Sequence, residues 1–345
     1  MMQRYHRQTL LPQIGAEGQA RLSAARVLLI GCGALGTVIA EQLARAGVGF
    51  LRIVDRDVVE MTNLQRQVLF DEADAQGEIP KAIAAADRLQ RINSSITIEP
   101  RVTDCHTGNI EELIGEAGTP IDLILDGTDN AETRYLINDA ALKLGIPWVY
   151  GACVGMEGRV MSVHPGITPC LRCIFPQPPG PGELPTCDTA GVFAPAAAIV
   201  ASLQVTAAIK QLIGQASEQT LTVLDVWTGR FRTSSTLDAK RPDCPACGLR
   251  QFEFLDCTTA ATSTNLCGRN AVQVRPSNRA EIDLGLLATK LSNVGQIERT
   301  EHLVRCQMPA PQSIRLTVFP DGRLIVHGTS DFERAKSIYA RYVGL

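Results

Sequence analysis

Four cysteines fall into two C-x-x-C pairs, Cys170-Leu-Arg-Cys173 and Cys244-Pro-Ala-Cys247. Each pair puts two thiolates within reach of one ion, and two such pairs offer the four sulfur ligands of a tetrahedral zinc site. The interval of about 70 residues between the pairs is longer than in a zinc ribbon, so spacing alone leaves the pairing open. The other reading of a C-x-x-C, a redox pair, goes with a thioredoxin-like pattern that the sequence lacks. A second constellation is Gly31, Gly33 and Gly36, spaced as G-x-G-x-x-G, with Asp55 about 20 residues on. Glycines there permit a tight turn and let backbone N–H groups approach phosphate, while a carboxylate at Asp55 can accept from ribose hydroxyls. This pattern means a nucleotide, and taken alone most often NAD or FAD.

A third group argues against a dehydrogenase. Asn63-Leu-Gln-Arg66 follows the Asp55 strand, Lys81 stands at the head of a helix, and Asp129-Asn130 ends another strand. Cations on two loops together with a carboxylate are what a triphosphate and Mg²⁺ require, the cations offsetting phosphoryl charge and a hard oxygen holding the metal. A nicotinamide needs none of them. Singly, Arg66 or Lys81 reads as a solvated surface cation; the set changes that reading.

The elements that must position these residues follow from apolar periodicity. Ala25 to Ile30 is a short buried strand running straight into the glycine turn, an amphipathic helix covers Thr37 to Ala46, and Leu51 to Val54 is a second strand ending at Asp55. Strand, glycine turn, helix, strand and acid make the opening βαβ of a doubly wound sheet. A helix from Lys81 to Arg91 leads to a strand over Ile96 to Pro100, and further strands are expected at Leu123 to Leu125 and Pro147 to Tyr150. Leu171 to Pro195 carries six prolines and reads as a crossover loop without regular structure, its body about residues 174–195. Ala196 to Ile213 reads as a buried helix ended by Gly214. The small polar stretch Thr258 to Asn265 is the expected interdomain linker. Beyond it, strands are expected at Ala271 to Val274, Ile314 to Val318 and Leu324 to Val326, with Pro320-Asp-Gly-Arg323 as the hairpin turn. A last helix, with a Ser330/Glu333 capping box, has Phe332, Ala335, Ile338, Tyr339 and Tyr342 on one stripe. The expected fold class is therefore α/β: a Rossmann-like doubly wound, mostly parallel sheet over 1–257, with a small α+β domain over 265–345.

Composition narrows the partners. With 45% hydrophobic and 20% charged residues and a net charge of −3, the chain gives no electrostatic reason to bind nucleic acid or a membrane surface. No apolar run approaches the roughly 18–20 residues that span a bilayer. Met1 to Gly15 is polar and mixed in charge, unlike a secretory signal, and the 11 cysteines then read as reduced thiols in the cytoplasm.

Arg4-Tyr-His-Arg-Gln8, Gly31 to Gly36, the Asp55 strand, Asn63-Leu-Gln-Arg-Gln67, Pro80-Lys81, Asp126-Gly-Thr-Asp-Asn130 and the cysteine pairs, in that order, closely resemble the ThiF/MoeB/HesA adenylyltransferases, bacterial relatives of the ubiquitin-activating enzymes. The resemblance runs from about Arg4 to Gly248. It implies ATP-dependent adenylation of the C-terminal glycine carboxylate of a ubiquitin-like sulfur-carrier protein ending in Gly-Gly, in thiamine thiazole or molybdopterin synthesis. It further implies that Asp55 binds ribose with Asn63 and Gln65 beside the nucleotide, that Arg66 and Lys81 stabilise the phosphates, and that Asp129 holds Mg²⁺ with Asn130 alongside. Arg7 would reach into the other protomer of a homodimer. Ala34 departs from the glycine some members carry, but its backbone N–H remains available. The resemblance also supplies the pairing of Cys170, Cys173, Cys244 and Cys247 on one structural zinc. Relatives place a cysteine at the position of Cys187 that can link covalently to the carrier. A related enzyme acting on tRNA-bound threonylcarbamoyladenosine is the nearest alternative, which the absence of a basic stretch disfavours; an NAD-dependent oxidoreductase is the more distant one. Cys32 and Cys153 read as small packing residues, and the tail lacks the loop of a persulfide-carrying rhodanese module.

Overall fold

A computed structural model of the chain describes residues 3–115, 120–179, 190–216, 218–256, 263–266, 270–275, 282–309 and 314–343. The chain divides into two compact units, Met1–Thr258 and Thr259–Leu345. In the first unit, β1 (Arg26–Ile30), β2 (Phe50–Val54), β3 (Thr97–Arg101), β4 (Leu123–Asp126), β5 (Trp148–Val154), β6 (Glu157–Val163), β7 (Thr220–Asp225) and β8 (Arg230–Ser235) form one sheet in the order β3-β2-β1-β4-β5-β6-β7-β8. The first five strands are parallel and the last three join antiparallel. β1, Arg-Val-Leu-Leu-Ile, is almost wholly apolar because helices cover both of its faces. Helices Ala34–Ala46, Lys81–Ile92 and Ala194–Leu212 pack on one face, and Ile110–Gly115 with Ala131–Leu144 pack on the other. β8 is one edge of this sheet, and its six residues are exposed and mostly polar or charged, which discourages pairing with another strand.

The strand order reverses between β1 and β4, and their ends are forced together. Gly31 has φ +90°, and a Cβ on it would lie 2.6 Å from the Gly127 carbonyl oxygen. A Cβ on Gly36 would strike the Gly31 carbonyl oxygen. The backbones of the two loops touch where only glycine fits.

Several expectations change. β6, β7 and β8 lie outside the strands expected from sequence. The stretch read as an irregular loop opens with a helical turn, Leu171–Ile174, and Pro195 lies in the first turn of helix Ala194–Leu212, where its missing N–H costs nothing. That 19-residue helix is long and apolar enough to cross a membrane by length and composition, contrary to the sequence reading. Its Ala196, Ala197, Val200, Ala201, Gln204, Val205 and Ala208 are instead buried in the core beside β5 and β6. Cys187 lies outside the described residues, as do Cys257 and Cys267.

The second unit is an antiparallel sheet of β9 (Ser263–Leu266), β10 (Ala271–Val274), β11 (Gln296–Arg299), β12 (Val304–Gln307), β13 (Arg315–Val318) and β14 (Leu324–His327), ordered β11-β12-β13-β14-β10-β9. Helices Leu284–Leu291 and Phe332–Tyr342 cover the face carrying Val272, Val304, Leu316 and Val326. β9 takes part of the stretch expected as linker. The last helix is capped by Asp331, whose side chain accepts from the amides of Glu333 and Arg334, rather than by Ser330. Asp331 sits one residue closer to the first turn and receives two N–H donors there.

Helix Ala131–Leu144 buries Asp139 completely. Burial pushes its carboxyl from 3.8 up to about 6, although it accepts a hydrogen bond from the Phe254 amide at 2.9 Å. The folded state therefore binds this proton more tightly than the unfolded chain does. The stability it confers is full below about pH 4 and is lost as pH rises through about 6, to the extent of about 3 kcal/mol at most. Asp139→Asn should gain on the wild type as pH rises from 5 to 7.5. Urea midpoints of the two proteins across that range check this, and a difference that stays constant with pH would refute it.

Candidate nucleotide site and cysteine cluster

The glycine turn delivers the chain into helix Ala34–Ala46 with Gly33 as N-cap and no side chain accepting from the first-turn amides. Those N–H groups, the Ala34 amide among them, remain available to an anion. A Cβ at Gly33 would meet only the Gln67 Nε2, at 3.9 Å, so this side of the turn is open. Asp55 follows β2 and faces the turn. Its Oδ2 accepts from the Cys32 amide at 2.6 Å and its Oδ1 from the Asp57 amide at 2.7 Å. Both oxygens are oriented by backbone and each keeps a further lone pair. Burial pushes the Asp55 carboxyl above its ordinary value, against the opposing charge of Lys81. The Cys32 thiol is fully buried and is likewise pushed up, by burial and by Asp55. It is a packing group, as its small size suggested.

Lys81 opens helix Lys81–Ile92 and is 5% exposed, so it is no solvated surface cation. Its Nζ lies 3.2 Å from Asp57 Oδ2, and its own amide bonds the Asp57 carbonyl at 2.9 Å. The carboxylate holding Lys81 had no place in the sequence reading. Its signal was its position two residues past Asp55 and the need of any buried ammonium for a counter-ion. Arg56 between them pairs with Asp104 at 3.2 Å. Burial works against the Arg56 charge, and Asp104, Asp57, Asp129 and Asp55 more than offset it.

Asn63 ends the 3₁₀ turn Met61–Asn63; it is buried, and its Oδ1 accepts from the Glu60 amide at 3.1 Å. Its carbonyl is thus committed to shaping the loop. Gln65 is exposed, and Arg66 is half-buried with Nη1 on the Thr62 carbonyl at 2.8 Å. Asp129 follows β4 and is exposed. Asn130 beside it is the N-cap of helix Ala131–Leu144, its Oδ1 accepting from the Glu132 amide at 2.8 Å. Under Asp129 lies an ion pair, Asp126 buried and Arg134 half-buried, that sequence reading passed over. Asp126 takes the Thr128 amide at 2.9 Å and hydroxyl at 2.7 Å on Oδ1, and Arg134 Nε at 3.1 Å on Oδ2.

The glycine turn, Asp55, Lys81 and the Asp129 loop are thus gathered at the carboxyl ends of β1, β2 and β4, the crevice where open α/β sheets bind ligands. Arg7 is not gathered there. Its short helix His6–Thr9 is tied down by Gln8 to the Ala46 carbonyl at 2.9 Å, at the far end of helix Ala34–Ala46 and roughly 20 Å from the glycine turn.

The two cysteine pairs do meet, on the opposite face of the sheet. Cys170 Sγ is 3.6 Å from Cys244 Sγ and 3.9 Å from Cys173 Sγ, and Cys173 Sγ is 3.4 Å from Cys247 Sγ. All four sulfurs lie within 4.8 Å of one another, and none of these cysteines is in a disulfide. A tetrahedron with metal–sulfur bonds of about 2.3 Å sets sulfur–sulfur distances near 3.8 Å, so the donor set and its spacing fit one thiophilic ion. Three of the four cysteines are buried and Cys247 is half-buried, leaving little room for a ligand from solvent.

The comparisons with known proteins agree with this geometry. Residues 5–246 match the model of the ThiF family. The chain is 45% identical over 345 residues to the sulfur carrier protein ThiS adenylyltransferase of Bacillus subtilis, covering 100% of both proteins. It is 42% identical over 254 residues to the sulfur carrier protein adenylyltransferase of Thermus thermophilus, covering 72% of this chain and 91% of that one. Among solved structures, E. coli MccB shares the fold with a TM-score of 0.62 at 21% identity, over 72% of this chain and 73% of that one. With that model matched over residues 5–246 and a relative 45% identical over its whole length, the chain belongs to the ThiF family.

Proposed function

We propose that this protein adenylates the C-terminal glycine carboxylate of a ubiquitin-like sulfur-carrier protein, with ATP as co-substrate. The observation that carries the reading is the buried Lys81 with its Asp57 partner at the mouth of an open glycine turn, across from the exposed carboxylate of Asp129. A buried ammonium there meets phosphoryl charge in a poorly screened setting, a use a nicotinamide would not have. Relatives named as sulfur-carrier adenylyltransferases, one of them alike over its whole length, support the same reaction.

The carrier's carboxylate is ionised at pH 7, so no general base is needed. It attacks the α-phosphorus, the bond to the pyrophosphate leaving group breaks, and a mixed acyl-phosphate anhydride with AMP forms. The amides heading helix Ala34–Ala46 receive phosphate oxygens, Asp55 orients the ribose, and Arg66 and Lys81 offset charge as pyrophosphate departs. Asp129, with Asn130 beside it, would hold Mg²⁺, which neutralises phosphate charge. Asn63 and Gln65 line the nucleotide's side of the crevice, Asn63 by shaping the loop. Zinc on Cys170, Cys173, Cys244 and Cys247 would be structural, since protein sulfur fills every position. Arg7, remote from its own chain's site, would serve the neighbouring protomer of a homodimer. Cys187 would act after adenylation, accepting or linking the activated carrier.

Labelled pyrophosphate should exchange into ATP only in the presence of a Gly-Gly-ended carrier. Asp129→Ala should abolish exchange, and Arg66→Ala should lower it at least about tenfold, or ~1.4 kcal/mol of transition-state stabilisation. Carrier-independent exchange, or wild-type rates in both variants, would overturn the assignment.

Elemental analysis should find one zinc per chain. Cys244→Ser should release it and lower the unfolding temperature, because metal binding and folding are coupled. Protein purified without chelators and free of zinc would contradict this.

Arg7→Ala and Asp129→Ala subunits, each inactive alone, should recover about a quarter of wild-type exchange on mixing, since half the chains enter heterodimers and each heterodimer has one intact site. No recovery despite verified subunit exchange would place Arg7 outside the partner's site.

A further inference from the structure

Helix Ala131–Leu144 touches both constellations. At its head, Asn130 is the N-cap next to Asp129, and Arg134 grips the β4 loop through Asp126 Oδ2 at 3.1 Å and the Thr128 carbonyl at 2.6 Å. About one and a half to two and a half turns on, the same helix binds the segments that carry the cysteines. Asn138 Oδ1 accepts from the amide of Leu171, the residue after Cys170, at 3.0 Å. Asp139 accepts from the Phe254 amide, in the segment following Cys247, at 2.9 Å. The Tyr135 hydroxyl donates to the Phe175 carbonyl, just past Cys173, at 2.9 Å, and its ring packs on Phe254 with centroids 4.9 Å apart. The two cysteine segments are also joined to each other by Arg172 and Glu253, at 2.8 Å.

We propose that Tyr135, Asn138 and Asp139 are positioning residues that carry the order of the cysteine cluster to the loop presenting Asp129. Asn138 and Asp139 are both fully buried, and their bonds to the cysteine segments can form only where those segments are held in place. An α-helix transmits a tilt or shift as a rigid rod over such a distance, roughly 14 Å from Asn130 to Asp139. Loosening either cysteine segment frees the middle of the helix, and through Arg134 the β4 loop loses its fixed neighbour. The cluster is therefore more than a remote staple. The mechanical part of the inference stands on the hydrogen bonds alone; its effect on catalysis rests on the proposed role of Asp129.

Hydrogen exchange read by mass spectrometry on the full chain tests it, with Asn138→Ala and the milder Tyr135→Phe, which removes only a hydroxyl. In both, amides of residues 126–131 should exchange at least about fivefold faster while those of β1 and β2 stay unchanged, and half-saturation by Mg²⁺ in the exchange assay should rise with them. Cys247→Ser should accelerate the same segment, and combining it with Asn138→Ala should add nothing further, as expected for steps on one route. Unchanged exchange at 126–131 in both single variants overturns the proposal, and so does a uniform acceleration over the whole chain in Tyr135→Phe. Local acceleration supports it even if the wild type proves independent of Mg²⁺, a result that would instead remove the role assigned to Asp129.

Discussion

The structure depends on one close backbone approach, where the loops leaving β1 and β4 cross. The carbonyl of Gly31 lies where a Cβ of Gly36 or of Gly127 would have to stand, and Gly31 itself adopts a left-handed conformation. Three glycines from two separate segments therefore form one joint, and no other residue type fits any of the three places. The joint brings the head of helix Ala34–Ala46, with its free amides, beside the loop that carries Asp129. Without it, those amides and the Asp129 carboxylate could not face one crevice. The charged groups are arranged around this joint, not the reverse.

Their arrangement limits the cost of burial. An isolated ammonium as deeply buried as Lys81 would lose its proton, but Asp57 stands 3.2 Å away and Asp55 adds its charge. Asp55 in turn has both oxygens on backbone amides, so it keeps its direction whether or not a ligand is present. Preset groups of this kind need not reorganise as charge develops on a departing phosphate, which is the condition for electrostatic catalysis. The exposed members, Asp129, Gln65 and in part Arg66, lie on the solvent side, where a substrate must enter.

The sequence was most legible where local chemistry and tertiary role coincide. β1, the glycine turn, helix Ala34–Ala46, β2 and Asp55 are each announced by residue type and period, and the structure realises them together. The cysteine pairs were visible as pairs, whereas their meeting across 71 positions depends on the sheet and could be inferred only from family resemblance. What escaped was set by partners distant in sequence. β6 to β8 are half-apolar or polar strands whose identity comes from antiparallel pairing, each onto the strand before it from β5 outward, not from their own pattern. Asp57 and the Asp126–Arg134 pair look like ordinary surface charges until the fold buries Asp126 and half-buries the other two. Helix Ala194–Leu212 read correctly as buried, but its length and apolarity also satisfy the test for a membrane span, and only packing on the sheet distinguishes the two.

Asp126 shows how the two faces of the sheet cooperate at a single residue. From one face, Gln204 of helix Ala194–Leu212, fully buried, donates to the Asp126 carbonyl at 2.8 Å. From the other, Arg134 of helix Ala131–Leu144 donates to the Asp126 carboxylate at 3.1 Å. The Gln204 side chain occupies the space a Cβ of Gly151 would need, so β5 too must carry glycine for this clamp to close. Backbone and side chain of one aspartate are thereby held from opposite sides, three residues before Asp129. A carboxylate left exposed, as Asp129 is, cannot be fixed by burial of its own side chain. Its position has to be imposed through the backbone that precedes it, and the clamp on Asp126 meets that requirement while leaving Asp129 open to solvent.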